Sequence, residues 1–193
     1  MEKLVFINAC IRREHSRTLA VARALLKALN SRYEITEIDL TDVTLAPVTA
    51  ADFHRRGTEG LSAQDKEWGR LVAEADRLMI AAPFWDMSFP AVLKSFFEHI
   101  SFPDLTFANN EDGTTHRICR AEKVLYVTTR GMEIATDSPL DQGTPHIRAI
   151  SWLWGLGTVH TVAAYGMDIH TEDVVAQRLD AAIQQGLAIC EEF

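Results

Sequence analysis

The sequence predicts an α/β protein with one doubly wound, parallel, five-stranded sheet in three layers, strand order 2-1-3-4-5. Short continuous apolar runs alternate along the whole chain with longer stretches in which apolar residues recur at helical spacing. A strand covered by helices on both faces reads as such an unbroken run. Five successive strand-then-helix units imply right-handed crossovers, which keep the strands parallel and put helices on both faces. The length of 193 residues, 47% of them hydrophobic, suits one domain spanning 1–193 with a full core.

The first strand is Leu4, Val5, Phe6 and Ile7, and between Ser16 and Asn30 the residues Leu19, Ala22, Leu25, Leu26 and Leu29 share one helical face. Ile35, Ile38 and Leu40 indicate the second strand. Ser62 with Asp65 resembles a capping box that opens a helix carrying Trp68, Leu71, Val72 and Ala75 on one side. LMIAA, residues 78–82, is the third strand, and Pro90 suits the first turn of a helix with the stripe Leu93, Phe96, Phe97 and Ile100. VLYVTT, 124–129, is the fourth strand; a helix near 145–154 stops at Gly155 and Gly157; residues 158–165 form the fifth strand. The last helix follows Thr171 with Val174, Val175, Leu179, Ile183 and Leu187 toward the core. Two segments break the rhythm and are expected to shape the acceptor pocket: 41–60, polar and Thr-rich, and 101–122, read as a hairpin around Asp112-Gly113.

A formal net charge of −8 and no basic stripe with interleaved aromatics argue against nucleic acid as a partner. No apolar run is long enough for a membrane span, and the N-terminus lacks the features of a secretory signal, so a cytoplasmic location is expected. Cys10, Cys119 and Cys190 are far apart, which indicates neither a disulfide framework nor a zinc site, and the seven histidines show no ligand spacing, so no metal is expected. GxGxxG, Walker, HExxH and GxSxG patterns do not occur.

In open α/β sheets the ligand sits at the carboxyl ends of the strands where the winding reverses, here between the first and third strands. Three loops meet there. The first gathers Arg12, Arg13, His15, Ser16, Arg17 and Thr18 at a helix N-terminus, where free N–H groups and the helix dipole favour an anion such as phosphate. The second packs Phe84, Trp85, Met87 and Phe89 where a loop would ordinarily be polar, which suits a flat apolar ring. The third brings Arg130 and Gly131, a cation and a closely approachable backbone. Phosphate, flat ring and polar edge together describe flavin mononucleotide (FMN).

At these residues the chain resembles the FMN-dependent NADH:quinone oxidoreductases, also called FMN-dependent azoreductases, of the flavodoxin-like superfamily. IAAPFWDMSFPAVLKSFFEHI, residues 80–100, is similar to the family's AAPMYNFxxPxxLKxxxD stretch, YVTTRG, 126–131, to its xxSRGG, and Ser16-Arg17-Thr18 to its SxS phosphate loop. The resemblance implies that Ser16, Arg17 and Thr18 hold the phosphate of FMN, with Cys10 where the family has Ser. It implies that Pro83, Phe84, Trp85, Asp86 and Met87 run along the ring and that Thr129, Arg130 and Gly131 close its other side. It further implies a homodimer with flavin at the subunit interface, NADH or NADPH as electron donor, and a quinone or azo compound as acceptor. Asp86 and Met132 depart from the family's Asn and second Gly, and a carboxylate beside the flavin is expected to lower its potential.

The cofactor would carry the chemistry, so no catalytic side chain is assigned; His146 is the one candidate proton donor, and a surface position is its plainer reading. Two other functions compete. A low-molecular-weight phosphatase or arsenate-reductase-like enzyme would use Cys10 as nucleophile, but six residues rather than five separate it from Arg17-Thr18. A non-catalytic flavin-binding or redox-sensing module is the other alternative. Trp152 and Trp154, just before a glycine pair, read as core or as subunit contact.

Overall fold

In chain order the elements are β1 (Glu2–Asn8), α1 (Arg17–Leu29), β2 (Tyr33–Asp39), α2 (Ala50–Glu59), α3 (Ala63–Glu74), β3 (Arg77–Ala81), α4 (Ala91–Ile100), β4 (Phe107–Asn109), β5 (Thr115–Arg117), β6 (Lys123–Thr129), α5 (Gly143–Trp154), β7 (Thr158–Ala164) and α6 (Glu172–Glu191). They come from a computed structural model that describes residues 1–193. The main sheet has the order β2-β1-β3-β6-β7 with every pair parallel, which is 2-1-3-4-5 once the separate antiparallel hairpin β4-β5 is set aside.

The unbroken apolar runs follow from the layering. Successive side chains of a strand point to opposite faces, and both faces are dry here. Leu4 and Phe6 of β1, Met79 of β3 and Leu125 of β6 pack with Val21 and Leu25 of α1 and Val175 of α6 in one core. Val5, Ile7, Leu78, Ile80 and Val124 pack into the opposite core with Trp68 of α3, Phe96 and Phe97 of α4 and Trp154 of α5. Each fully buried side chain of this size contributes about 1.5–3 kcal/mol relative to exposure. No helix is long and apolar enough to cross a membrane.

Segment 41–60 contains a helix that its composition hides. Helix α2 buries only Arg56, because it docks through polar groups: Arg56 donates to the Glu98 carbonyl at 2.9 Å and pairs with Asp65 at 3.5 Å. Its capping box is Thr49 with Asp52, each side chain meeting the other's backbone N–H. The box expected at Ser62 and Asp65 is only half formed. The Ser62 hydroxyl accepts from the Asp65 N–H, but the Asp65 carboxylate turns inward to His99 at 2.9 Å and to Arg56.

Backbone approaches backbone closely in the connection from α5 to β7. Gly155 ends α5 in the left-handed conformation, φ 71°, and a Cβ on Gly157 would stand 1.7 Å from the Glu122 carbonyl oxygen. Since that neighbour is backbone, Gly157→Ala is expected to lower the unfolding free energy by roughly 2–3 kcal/mol, read as a fall in the thermal midpoint. An unchanged midpoint would show that the turn can move.

Candidate active site

The carboxyl ends of β1, β3 and β6 open into one small cavity. Helix α1 starts there because Ser16, in extended conformation, caps it: its hydroxyl accepts the Leu19 N–H at 3.2 Å. The N–H groups of Arg17 and Thr18 in the same first turn are used by no carbonyl or side chain. With Arg12, Arg17 and the Ser16 hydroxyl they form a donor set aimed at an anion. Thr18 and Thr129 lock the floor, their hydroxyls 2.7 Å apart and both buried.

The opposite wall follows β3. Phe84 is tied to the end of β6 by its N–H on the Thr129 carbonyl, and Trp85 and Ser88 bond to each other across a tight reverse turn. The two residues between them, Asp86 and Met87, have φ of 47° and 64°. Non-glycine residues in this left-handed region cost roughly 1–2 kcal/mol each, and such strain collects at binding sites. The turn leaves Trp85 exposed at the rim.

The cavity measures about 110 Å³. Eight of its 10 lining residues are among those singled out in the sequence: Ser16, Arg17, Thr18, Pro83, Phe84, Trp85, Thr129 and Gly131. Arg12, the ninth, belongs to the cationic loop, and its guanidinium makes neither hydrogen bond nor ion pair, unlike that of Arg13, which pairs with Asp42. The tenth, Asp168, lies in the loop between β7 and α6, and its carboxylate bonds Arg17 at 2.8 Å.

Four expected site residues stand elsewhere. Cys10 is fully buried in the α1/α6 core with its Sγ against the Ala81 carbonyl, and burial pushes its thiol up to about 12. A thiol so far from ionising at neutral pH is no phosphatase nucleophile. Asp86 and Met87 occupy the tip of the strained turn and do not line the cavity. Arg130, expected to face the ligand, is 0% exposed. Its guanidinium donates to the carbonyls of Ile134 and Ala135 and to Asp141 at 2.9 Å. The same guanidinium lies 4.7 Å from the centre of the Phe84 ring. It is thus a strut behind the apolar wall. Burial opposes the charge on Asp141, but bonds from the backbone N–H and hydroxyl of Thr144, from Arg130 and from the Asp137 N–H hold its carboxyl below the usual range.

His146 does not line the cavity. It is half buried on α5 with its ring 5.1 Å from that of Phe89, and burial, with Lys94 nearby, lowers its pKa and favours neutral imidazole. The two tryptophans divide: Trp154 is fully buried, its indole N–H on the Ser101 hydroxyl, whereas Trp152 is 72% exposed. No lining residue of the cavity comes from 41–60 or 101–122. The first instead packs Arg56 and Ala46 against α3 and α4, and the second sets Arg117 against Gly155.

Residues 2–188 match the family described as "Flavodoxin-like fold". Among curated proteins, the chain is 26% identical to an FMN-dependent NADH:quinone oxidoreductase of Clostridium perfringens over 201 aligned positions, covering all of both chains. It is 29% identical to an FMN-dependent NADH:quinone oxidoreductase 2 of Clostridium acetobutylicum, covering 90% of this chain and 91% of the other. The fold superposes on a crystal structure of an azoreductase from Bacillus anthracis with a TM-score of 0.84 at 18% identity, over the full length of both. It also superposes on an FMN-dependent NADH-azoreductase of the same species in complex with FMN, with a TM-score of 0.78 at 16% identity over 98% of this chain and 100% of the other.

Proposed function

Because this chain belongs to the flavodoxin-like fold family over residues 2–188, we propose that it is an FMN-dependent NAD(P)H oxidoreductase that reduces quinones or azo compounds. The observation that carries the reading is the composition of the switch-point cavity, an anion-binding helix N-terminus on one side and an aromatic wall on the other. The donor set fits FMN: two unused N–H groups, a hydroxyl and two guanidinium groups suit a phosphate ester. Ser16, Arg17, Thr18 and Arg12 would hold the phosphate, and Phe84, Trp85 and Gly131 would border the ring.

Bound FMN supplies the two-electron chemistry that links a nicotinamide donor to a quinone or azo acceptor. The chain contributes binding and orientation. Arg130 stiffens Phe84 from behind, the threonine pair fixes the floor, and a nicotinamide donor and an acceptor would reach the flavin in turn from the side that Trp85 and Gly131 border. Apart from Arg12 and Arg17, Asp168 is the one charged side chain in the cavity lining. FMN-loaded protein passed through a desalting column is expected to keep its flavin spectrum and to oxidise NADH when a quinone is added; a colourless, inactive eluate would refute the reading.

The cavity is well below the roughly 300–1,000 Å³ of sites that enclose a whole small ligand. A cavity of this size would take a phosphate with a tricyclic ring beyond it, which supports a homodimer in which the second subunit covers the ring. The exposed apolar side chains Trp85, Met132, Leu140 and Trp152 suit such a contact. Sedimentation velocity at micromolar concentration is expected to give a dimer, and a monomer would refute the shared site.

Asp86 stands at the exposed tip of the turn beside the aromatic wall. Asp86→Asn, which keeps the turn and removes the charge, is expected to raise the flavin midpoint potential. The shift should be small, up to roughly 20 mV for a two-electron couple, since an exposed charge is worth up to about 1 kcal/mol. A lower potential in the variant, measured by dye equilibration, would contradict this placement.

A further inference from the structure

The anion site already holds an anion of its own. Arg17, the guanidinium at the start of α1, gives one nitrogen, Nη1, both to the Asp168 carboxylate and to the Met167 carbonyl, each at 2.8 Å. Asp168 lines the same cavity as Ser16, Arg17 and Thr18. Its backbone is fixed, the N–H donating to the Gly131 carbonyl at 3.0 Å, while its side chain is 69% exposed and free to turn outward. The carboxylate lies directly over Gly131, where a Cβ would be 2.3 Å from Oδ2. A carboxylate in that place puts a negative charge in the lining of the anion site.

We propose that Asp168 competes internally for the phosphate subsite: its carboxylate takes the place beside Arg17 that a phosphate ester claims, and so sets how strongly the chain prefers FMN over riboflavin. This rests on the flavin reading above and concerns one residue of the same site. A dianionic phosphate next to Ser16 and Thr18 repels the carboxylate, so binding proceeds with the Asp168 side chain turned to solvent and Arg17 transferred to the ligand. Riboflavin has no phosphate and leaves the Arg17–Asp168 pair in place. The Asp168 charge therefore weakens the binding of FMN and not that of riboflavin.

The test uses Asp168→Asn and Asp168→Ala, with dissociation constants for FMN and riboflavin from quenching of flavin fluorescence by the apoprotein and thermal midpoints as a check on folding. Both variants are expected to bind FMN about tenfold more tightly than the parent, equivalent to about 1.4 kcal/mol, with riboflavin unchanged within about twofold. Inorganic phosphate is expected to protect both variants against FMN binding at lower concentration than it protects the parent. Unchanged or weaker FMN binding in the variants, with the parent still binding FMN, overturns this inference alone and makes Asp168 a partner that positions Arg17. Failure of parent and variants alike to bind either flavin overturns it together with the flavin reading.

Discussion

Arg130→Met is expected to lower the unfolding free energy by about 3–5 kcal/mol, because it strands a buried carboxylate without its partner. The Asp141 side chain has no exposed surface, and besides the Arg130 bond it accepts from the N–H groups of Asp137, Gly143 and Thr144, so it also caps α5. For a chain of this length the thermal midpoint should fall by roughly 10 °C. The double variant Arg130→Met with Asp141→Asn is expected to recover a substantial part of the loss. Asparagine keeps the carbonyl oxygen that caps α5 and removes the uncompensated charge. If the double variant were no more stable than Arg130→Met alone, the damage would lie in lost packing around Phe84 and Tyr165, both of which the guanidinium faces at 4.7 and 5.4 Å.

Ser16→Asp separates the fold from the site. Aspartate is as good an N-cap as serine, and its charge favours a helix N-terminus, so α1 and the thermal midpoint should be preserved. The same charge is placed beside Arg17 and Thr18, at the entrance to the anion subsite. FMN affinity is expected to fall on the order of 100-fold, which is about 2.7 kcal/mol, while riboflavin affinity changes only a few-fold. Equal losses for the two flavins would move the phosphate away from α1. An unchanged FMN affinity would remove the phosphate subsite from the cavity altogether.

How much of this was readable in the sequence depended on what holds each part in place. The five main strands and the helices α1, α3, α4, α5 and α6 bury apolar faces, so periodicity reports them. Helix α2 buries one arginine and docks by hydrogen bonds, so it has no apolar stripe to report; Thr49 followed by Asp52 at its start and Gly60 at its end are its local signals. The cavity was legible because two unlike features, cations and aromatics, fell on loops that topology brings together. Arg130 is illegible for the converse reason. A cation near a crevice looks like a ligand group until its partner is seen, and Asp141 lies 11 residues further on in an irregular loop. Asp168 belongs to no motif. The carboxyl end of the fifth strand was nonetheless as close to the crevice as the others, and YGMDIH, 165–170, was the loop to examine.

FMN bound in this cavity is expected to accept electrons from a nicotinamide and pass them to a quinone or azo acceptor. Anaerobic titration of the FMN-loaded protein tests it most directly. NADH is expected to bleach the visible flavin absorption at close to one equivalent per flavin, and a quinone added afterwards is expected to restore it. Bound flavin that NADH leaves oxidised, or reduced flavin that no quinone or azo compound reoxidises, would contradict the account and favour a flavin-binding module without turnover.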